Sequence, residues 1–488
     1  MQPVKTLISM VAIAAVSLGL SGCINQTQEV DHYRDILHAT PQPMPRNIPH
    51  LLTLAGALHM ANDNNESLAI AGENYLQALI AKDRAFANFF PTVSLAPTDY
   101  QRRGFNETQF PPGFGNLFQT HYFDTPLAAT LNVNILRDST AISAAGSYTG
   151  VQKSLLLNLQ SDLLLETAQT YYAVLSAQRS VKVLQRTLAV QRATVASELR
   201  KLRAGIALRL SVLQDEADEA RTQVQLTNAE NLVERSRATL AYLIGVNSLN
   251  HARLVNLFRP PEDIPTLEAL DRVALARRED LRADQDAVAV AKKGVTEAMA
   301  EYFPSVSIDF DTFLYKESFP SDSWWNGLFT VNFPIFEGGM IYNDVRKAYS
   351  KLRQAMLEEE LLRRKIHEQV RIALSDWVTS RELVRDTRTE MHAARAAFLQ
   401  ARHSYRVGLA TNLDVITAQD RYLSANLTYQ QAKYTTCVDM LNLLRESGRL
   451  TYPSIAQFAR QQEQQAQQVA MKAQTHKTKP VVRHVATK

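Results

Sequence analysis

Four long segments of this 488-residue chain contain neither glycine nor proline, and they limit its possible folds more than any other feature. They cover residues 151–204, 206–244, 341–407 and 409–447. Each is far longer than the usual helix of about 11 or 12 residues. At 1.5 Å per residue, a helix over 341–407 would reach about 100 Å. The segments predict two very long helical hairpins whose tips are Gly205 and Gly408, since glycine readily adopts positive φ after a helix end.

The long segments also carry apolar residues at a spacing of seven. A strict period of seven marks a supercoiled pair of helices, so these side chains are predicted to pack between helices rather than to hold a cofactor. The two series are Val174, Val181, Leu188, Val195 and Leu202, and Val370, Trp377, Val384, Met391, Phe398 and Tyr405.

The chain contains the same unit twice. "TLAGALHMANDNNESLAIA" at Thr53 is repeated in part by "TLEALDRVALARREDLRAD" at Thr266, and "FFPTVSL" at Phe89 by "YFPSVSI" at Tyr302. The order of the matching segments is preserved, so we interpret them as a duplication. The first copy spans 51–265 and the second spans 266–455.

Each copy is predicted to contain the same three parts. A helix of about 40 residues ends before Pro91 or Pro304, because the residue before proline is disfavoured in the α conformation. A β-hairpin and then a helical hairpin follow. The predicted helices are 51–90 and 266–303, the β-hairpins about 91–136 and 304–336, and the helical hairpins about 138–245 and 338–448.

The predicted strands alternate apolar and polar residues. In "SVSIDFDTFLY", Val306, Ile308 and Phe310 share one face; "LAATLNVNI" and "LFTVNFPIF" alternate likewise, while "TVSLAPTDY" is interrupted by proline. Aromatic residues at the strand ends favour a transmembrane β-barrel over a soluble sheet with one buried face. Four strands cannot close a barrel in lipid, and spanning barrels begin at about eight. Three chains sharing one barrel would supply twelve.

The first 22 residues read as an export signal that ends at "LSGC", which resembles a bacterial lipobox with Cys23 as the lipidated residue. The alternatives are an uncleaved anchor or an ordinary signal peptide followed by a chance cysteine. Ile24 replaces the aspartate that would retain a lipoprotein in the inner membrane, which favours the outer membrane. Residues 23–50 are predicted to be an extended tether, and the polar tail 456–488 is predicted to be disordered.

Composition and motifs give no support to catalysis or nucleic-acid binding. A net charge of +4 is small for this length. No phosphate-binding glycine loop, nucleophile motif or metal-ligand cluster occurs, and the histidines are scattered. Cys437 is the only cysteine besides Cys23 and is expected to be a buried core residue. We therefore predict a non-enzymatic protein without cofactor or metal.

Taken in order, these segments resemble the TolC family of outer membrane efflux proteins, and in particular its lipidated OprM-like, NodT-type branch. The resemblance runs from about Cys23 to Gly448. Besides the repeated segments, its marks are "RREDL" at Arg277, "FPIFEGG" at Phe333 and "YRVGLATNLDVITAQ" at Tyr405. It implies a mainly α protein with a membrane β-barrel: a homotrimer with a twelve-stranded barrel in the outer membrane and a twelve-helix α-barrel in the periplasm. It also implies that the equatorial segment 246–265 and the residues from 449 onward form a girdle around the α-barrel.

The resemblance also implies roles for the two hairpin tips. They would form the periplasmic end of the channel and dock with a periplasmic adaptor, which joins an inner-membrane pump. Asp414 would form a ring of three carboxylates at the constriction, although it or Asn412 could instead cap a helix. Thr417 stands where the family often has a second acid, and Asp420 and Arg421 are the candidates for locking the closed state. The docking residues are Gly205, Leu210, Ser211, Val212, Gly408, Leu413 and Val415.

Three functions remain open from the sequence. The first is a passive exit channel for drugs or other small molecules, working with a resistance-nodulation-division pump. The second is the outer membrane channel of a type I protein secretion system, which usually lacks a lipid anchor. The third is a lipid-anchored periplasmic coiled-coil scaffold without a pore.

Overall fold

The computed structural model describes residues 25–39, 50–102, 119, 121–249, 252–255 and 265–454. Cys23, the export signal, the polar tail and most of the loop after Gln101 lie outside these residues. Within them, no helix combines the length and apolar character needed to cross a membrane.

Two helical hairpins dominate the structure, as the glycine-free and proline-free segments predict. The first consists of α4 (Ile135–Arg203) and α5 (Arg209–Leu243), and the second of α8 (Met340–Arg406) and α9 (Asn412–Glu446). The first long helix begins at Ile135, slightly before the predicted start near 138, and both Gly146 and Gly150 lie within it. Helix α4 also packs along α9, which joins the two hairpins.

The predicted packing role of the seven-residue series is confirmed. Val174, Val370 and Trp377 are fully buried, and Leu188 and Phe398 are almost so. The remaining members are buried or half-buried. These side chains therefore fill the interfaces between the long helices.

The two helices of about 40 residues predicted before the β-hairpins are each broken in two. The first is α2 (Leu54–Asn64) and α3 (Glu66–Ala87), and the second is α6 (Leu267–Arg277) and α7 (Glu279–Ala300). Asn65 and Arg278 stand at the breaks with extended backbones. Because neither break contains proline or glycine, the sequence alone did not indicate them.

The breaks lie where the shorter hairpin helices end. Asn65 caps α3 and donates a hydrogen bond from Nδ2 to the Leu243 carbonyl at the end of α5, at 3.1 Å. Arg278 donates to Glu446 Oε2 near the end of α9, at 2.7 Å. Helix α5 therefore meets α3, and α9 meets α7, so that each pair of shorter helices lies alongside the long ones.

The prediction of an extended tether is wrong for the residues that directly follow Asn25. Residues Gln26–Leu37 form helix α1, whose Tyr33 and Leu37 are buried against the core. Tyr33 packs directly over Gly72 of α3, where a side chain would clash with its ring. The apolar spacing within this short polar helix is too sparse to predict burial, which arises from the tertiary contact.

Replacement of Gly72 by alanine is expected to displace α1. An added Cβ would lie 2.4 Å from Tyr33 Cδ2, and Tyr33 is too buried to move alone. We expect a loss of about 1–3 kcal/mol in the free energy of unfolding and faster proteolysis within α1. The control Gly294→Ala, in α7 with nothing within 4 Å of the added Cβ, should instead stabilise by about 0.5–1 kcal/mol. Equal proteolysis of both variants would contradict the packing role of Tyr33.

The predicted β-hairpins form one antiparallel sheet. Its strands are β2 (Thr92–Leu95), β3 (Thr98–Gln101), β4 (His121–Val133), β6 (Ser305–Lys316) and β7 (Trp325–Asn332). Strands β2 and β3 both pair with β4 and are separated at Pro97, which explains the irregular strand expected there. The last strand ends at Asn332, earlier than predicted, because Pro334 cannot donate a backbone hydrogen bond.

The strand register places the apolar residues in rows across the sheet. Leu131 pairs with Ile308, which pairs with Phe329. Ile308 and Phe329 are nevertheless 41% and 65% exposed. Every residue of β7 is exposed, and within the described residues β7 has a strand partner on one side only. The sheet thus presents an apolar face and open edges that one chain does not cover.

A small parallel sheet was not predicted. It pairs β1 (Leu51–Thr53) with β5 (Arg253–Val255), and so joins the start of the first copy to its equatorial segment. The hydroxyl of the buried Tyr171 in α4 donates to the carbonyl oxygens of Leu52 and Val255 at 2.8 Å. Three-residue strands are too short to show alternation.

Candidate functional site

Both hairpin tips have the same backbone conformation. Gly205 and Gly408 adopt positive φ, at 75° and 77°. The amide that follows each glycine donates a hydrogen bond back to a carbonyl in the last turn of the helix. These bonds run from Ile206 N to Lys201 O at 2.9 Å and from Leu409 N to Ser404 O at 2.8 Å. This is the Schellman motif, which favours glycine at the left-handed position. The repeated sequence therefore forms the same turn at both tips.

The residues predicted to dock a partner divide into two groups. Leu210 and Leu413 are 61% and 57% exposed, although both are large and apolar. Val212 and Val415 are buried, and Ser211 is half-buried. Within one chain the leucines are therefore available to a partner, while the valines pack inside the hairpins.

Asp414 belongs to a capping box at the start of α9. The N-cap residue is Thr411, rather than Asn412 or Asp414 as the sequence suggested. Asp414 Oδ2 accepts hydrogen bonds from the amide and the hydroxyl of Thr411, at 2.8 and 2.6 Å. These hydrogen bonds lower the pKa of the Asp414 carboxyl, which is exposed at the tip. Asp414 therefore presents a fixed negative charge to solvent at neutral pH.

Asn412 has a different role, which sequence reasoning missed. Its side chain is buried and donates from Nδ2 to Asp215 Oδ1 at 3.0 Å and to the Ser211 carbonyl at 3.3 Å. Burial raises the pKa of Asp215. This contact ties the start of α9 to the start of α5, at the residue before the exposed Leu413.

An ion pair joins the same two helices further from the tips. Arg221 of α5 binds Asp420 of α9 and also Asp218, the latter at 2.9 Å. The hydrogen bond that Arg221 donates to Asp420 raises the pKa of Arg221. The sequence identified Asp420 as a candidate for locking the closed state, but Arg421 points to solvent and the basic partner is Arg221. Their separation of 199 positions gave no signal in the sequence.

A third polar contact joins α8 to α4. The hydroxyl of Tyr405 donates to Glu198 Oε2 at 2.9 Å, while Lys201 Nζ contacts Glu198 Oε1 at 2.7 Å. Glu198 is only 1% exposed, so both of its oxygens are satisfied inside the protein. Burial, and secondarily the bond to Glu198, raises the pKa of Tyr405 to about 12. Three contacts between the hairpins, each involving a carboxylate, therefore surround the tips.

The described residues contain no group of three or more histidine, cysteine, aspartate or glutamate side chains that could hold a metal ion. Cys437 is buried in the core, and burial raises the pKa of its thiol to about 11. The polar groups at the tips thus connect helices and present charge.

The fold is similar to several solved outer membrane channels. The channel OprN covers 85% of this chain and 95% of its own length, with a TM-score of 0.70 and 21% identity. CmeC of Campylobacter jejuni covers 84% and 89%, with a TM-score of 0.72 and 17% identity. The open state of MtrE of Neisseria gonorrhoeae covers 82% and 90%, with a TM-score of 0.70 and 18% identity. The chain therefore shares its fold with these channels.

Sequence comparisons find similarity over part of the chain. The model of the family described as outer membrane efflux protein matches residues 271–449, which hold most of the second copy. The outer membrane efflux protein BepC of Brucella suis is 24% identical over 315 residues, 64% of this chain and 68% of BepC. The proteases secretion protein PrtF of Dickeya chrysanthemi is 21% identical over 313 residues, 61% of this chain and 66% of PrtF. Over residues 271–449 the chain therefore resembles the outer membrane efflux protein family, and the two relatives are, by their names, an efflux protein and a secretion protein.

Proposed function

We propose that this chain is the outer membrane channel of a tripartite efflux system. It would form a passive exit path for drugs or other small molecules, and its tips would dock with a periplasmic adaptor that joins a resistance-nodulation-division pump in the inner membrane. The observation that carries the proposal is the agreement with solved channels over most of the chain. BepC supports efflux in particular, because its name describes it as an efflux protein.

The sheet supports assembly as a homotrimer. Its outer strands have open edges within the described residues, and an unpaired backbone group costs several kcal/mol in hydrocarbon. Strands β2 and β3 pair with successive parts of β4 and would count as one strand, so each copy would supply four. Three copies would then close a twelve-stranded barrel and cover these edges. The helical hairpins, which follow strands β4 and β7 in the chain, would then extend into the periplasm and form the α-barrel.

Lipidation of Cys23 is also part of the proposal, because the sequence resembles the lipidated OprM-like branch. Replacing Cys23 by serine is expected to abolish incorporation of labelled palmitate, because serine lacks the thiol that is acylated. Metabolic labelling of full-length protein tests this, with Cys437→Ser as the matched control that should keep its label. Label retained in Cys23→Ser would contradict lipidation at this residue, whereas the barrel itself should still insert.

Asp414 is the candidate for the pore constriction. In a trimer its ionised carboxylate would form a ring of three charges, which favours cations and binds them when the ring is tight. Asp414→Ala should raise single-channel conductance and weaken block by divalent cations. Asp414→Asn removes the charge but retains an acceptor oxygen for Thr411, so it should weaken block while preserving the cap.

The control for these variants is Asp386→Ala, which removes an exposed carboxylate from the middle of α8. Its conductance and cation block should equal those of the wild type. If Asp414→Ala and Asp414→Asn show the same conductance and cation block as Asp386→Ala, Asp414 serves the capping box only.

Protein secretion is the second candidate, because PrtF and the alkaline protease secretion protein AprF of Pseudomonas aeruginosa match this chain. AprF is 23% identical over 283 residues, 56% of this chain and 58% of AprF. Deletion of the gene distinguishes the two functions. We expect accumulation of dyes or antibiotics in the deletion strain with an unchanged set of secreted proteins. Loss of a secreted protein with normal dye accumulation would instead assign the chain to secretion.

A further inference from the structure

The face of α4 that turns toward α8 and α9 lines a cavity of about 380 Å³, well behind the tips. The apolar part of its lining includes Val183, Met391, Phe398 and Tyr422, beside the uncharged polar residues Thr187, Gln419 and Asn426. The rings of Phe398 and Tyr422 stack with centroids 6.1 Å apart and planes at 9°. The volume lies within the range of about 300–1,000 Å³ typical of small-molecule sites.

The rim of this cavity is basic. Arg179, Lys182 and Arg186 lie three and four positions apart, so their side chains share one face of α4. All three are exposed, and in the part of the chain that the structure describes none forms an ion pair with a carboxylate. Other basic residues of α4 do have such partners, for example Arg192 with Glu219 at 3.1 Å. Hence the cavity carries three charges that the chain itself does not neutralise.

A second cavity of about 450 Å³ extends the first toward the tips and shares Val190, Phe398 and Gln419 with it. Glu198 is the one carboxylate in its lining. As described above, its two oxygens are already occupied by Lys201 and Tyr405. The combined groove therefore keeps its positive charge along its whole length.

We propose that this groove binds an organic anion with an apolar body, of the aryl sulfonate, aryl carboxylate or fatty-acid class. The apolar part would lie on Phe398 and Tyr422, and the anionic group would accept charge-assisted hydrogen bonds from Lys182 and Arg186. Cations of the same shape are disfavoured by the three unpaired charges. Every lining residue belongs to one chain, so the site does not depend on the proposed transport function.

Calorimetry with naphthalene-2-sulfonate tests the site, using the full-length protein in nanodiscs of zwitterionic lipid and empty nanodiscs as the blank. We expect saturable binding that weakens with added salt and is at least tenfold tighter than binding of 2-naphthylmethylammonium. The double variant Lys182→Gln/Arg186→Gln should lower the affinity at least tenfold, since it removes both charged donors. The matched control Arg364→Gln/Lys365→Gln removes two exposed charges from α8 outside the cavity and should bind normally.

A third variant tests the location without altering charge. Val190 is 40% exposed at the junction of the two cavities, so Val190→Trp should fill the groove and abolish binding while the thermal midpoint stays unchanged. Equal affinity for the two naphthalenes, or unchanged binding in the double variant or in Val190→Trp, would overturn the proposal. So would the absence of saturable binding to wild-type protein, which would mean that another chain or a partner helix covers the groove.

Discussion

Replacement of Trp377 by alanine is expected to lower the free energy of unfolding by about 3–5 kcal/mol. Trp377 is fully buried in α8 and lies in the main hydrophobic core. Its indole nitrogen has no hydrogen-bond partner in the described residues, so the loss comes from apolar burial and the cavity left behind. The Arg381 guanidinium, 5.1 Å from the ring centroid, would also lose its aromatic neighbour.

Denaturation of the solubilised full-length protein, followed by circular dichroism, measures this effect. Glu382→Ala is the control, because Glu382 is exposed on the same helix and its loss should change the free energy by no more than about 0.5 kcal/mol. Similar midpoints for the two variants would show that the core does not depend on Trp377.

Reversing the charge of Arg221 is expected to open the tips. Arg221→Glu would place a third carboxylate beside Asp218 and Asp420 and drive α5 away from α9. The native pair is partly exposed, so its loss alone is worth at most about 1 kcal/mol. If the tips have two states, that shift would still change the open population about fivefold. Charge reversal should have a larger effect than loss of the ion pair, and we expect a clear rise in the conductance of the resting channel.

The pairing is tested by the double variant Arg221→Glu/Asp420→Arg, which restores opposite charges and should return the conductance toward that of the wild type. Arg421→Gln is the matched control, because it removes the neighbouring exposed charge and should leave conductance unchanged. A rise in Arg421→Gln but not in Arg221→Glu would assign the closed state to Arg421 instead.

The long helices, their tips and the strands could be predicted from the sequence because their signals are local. A missing glycine or proline, a period of seven and a period of two all act over neighbouring residues. For this reason the sequence correctly predicts that Trp377 packs between helices and that the chain turns at Gly408. Duplication added to these signals, since each weak pattern occurs twice in the same order.

The breaks at Asn65 and Arg278 and the contacts around the tips could not be predicted in this way. Arg278 is held by Glu446, which lies 168 positions later, and Tyr405 contacts Glu198, 207 positions earlier. Such pairs depend on how the hairpins pack, and a single sequence does not record which charged residues meet. Helix α1 was missed because its burial depends on the gap that Gly72 leaves for Tyr33.

Conductance of the purified protein in planar bilayers tests the central claim most directly. A channel shared by three chains should give uniform conductance steps, and Asp414→Asn should change their block by divalent cations. Protein that assembles and inserts but never conducts would contradict the proposed channel and favour a lipid-anchored scaffold.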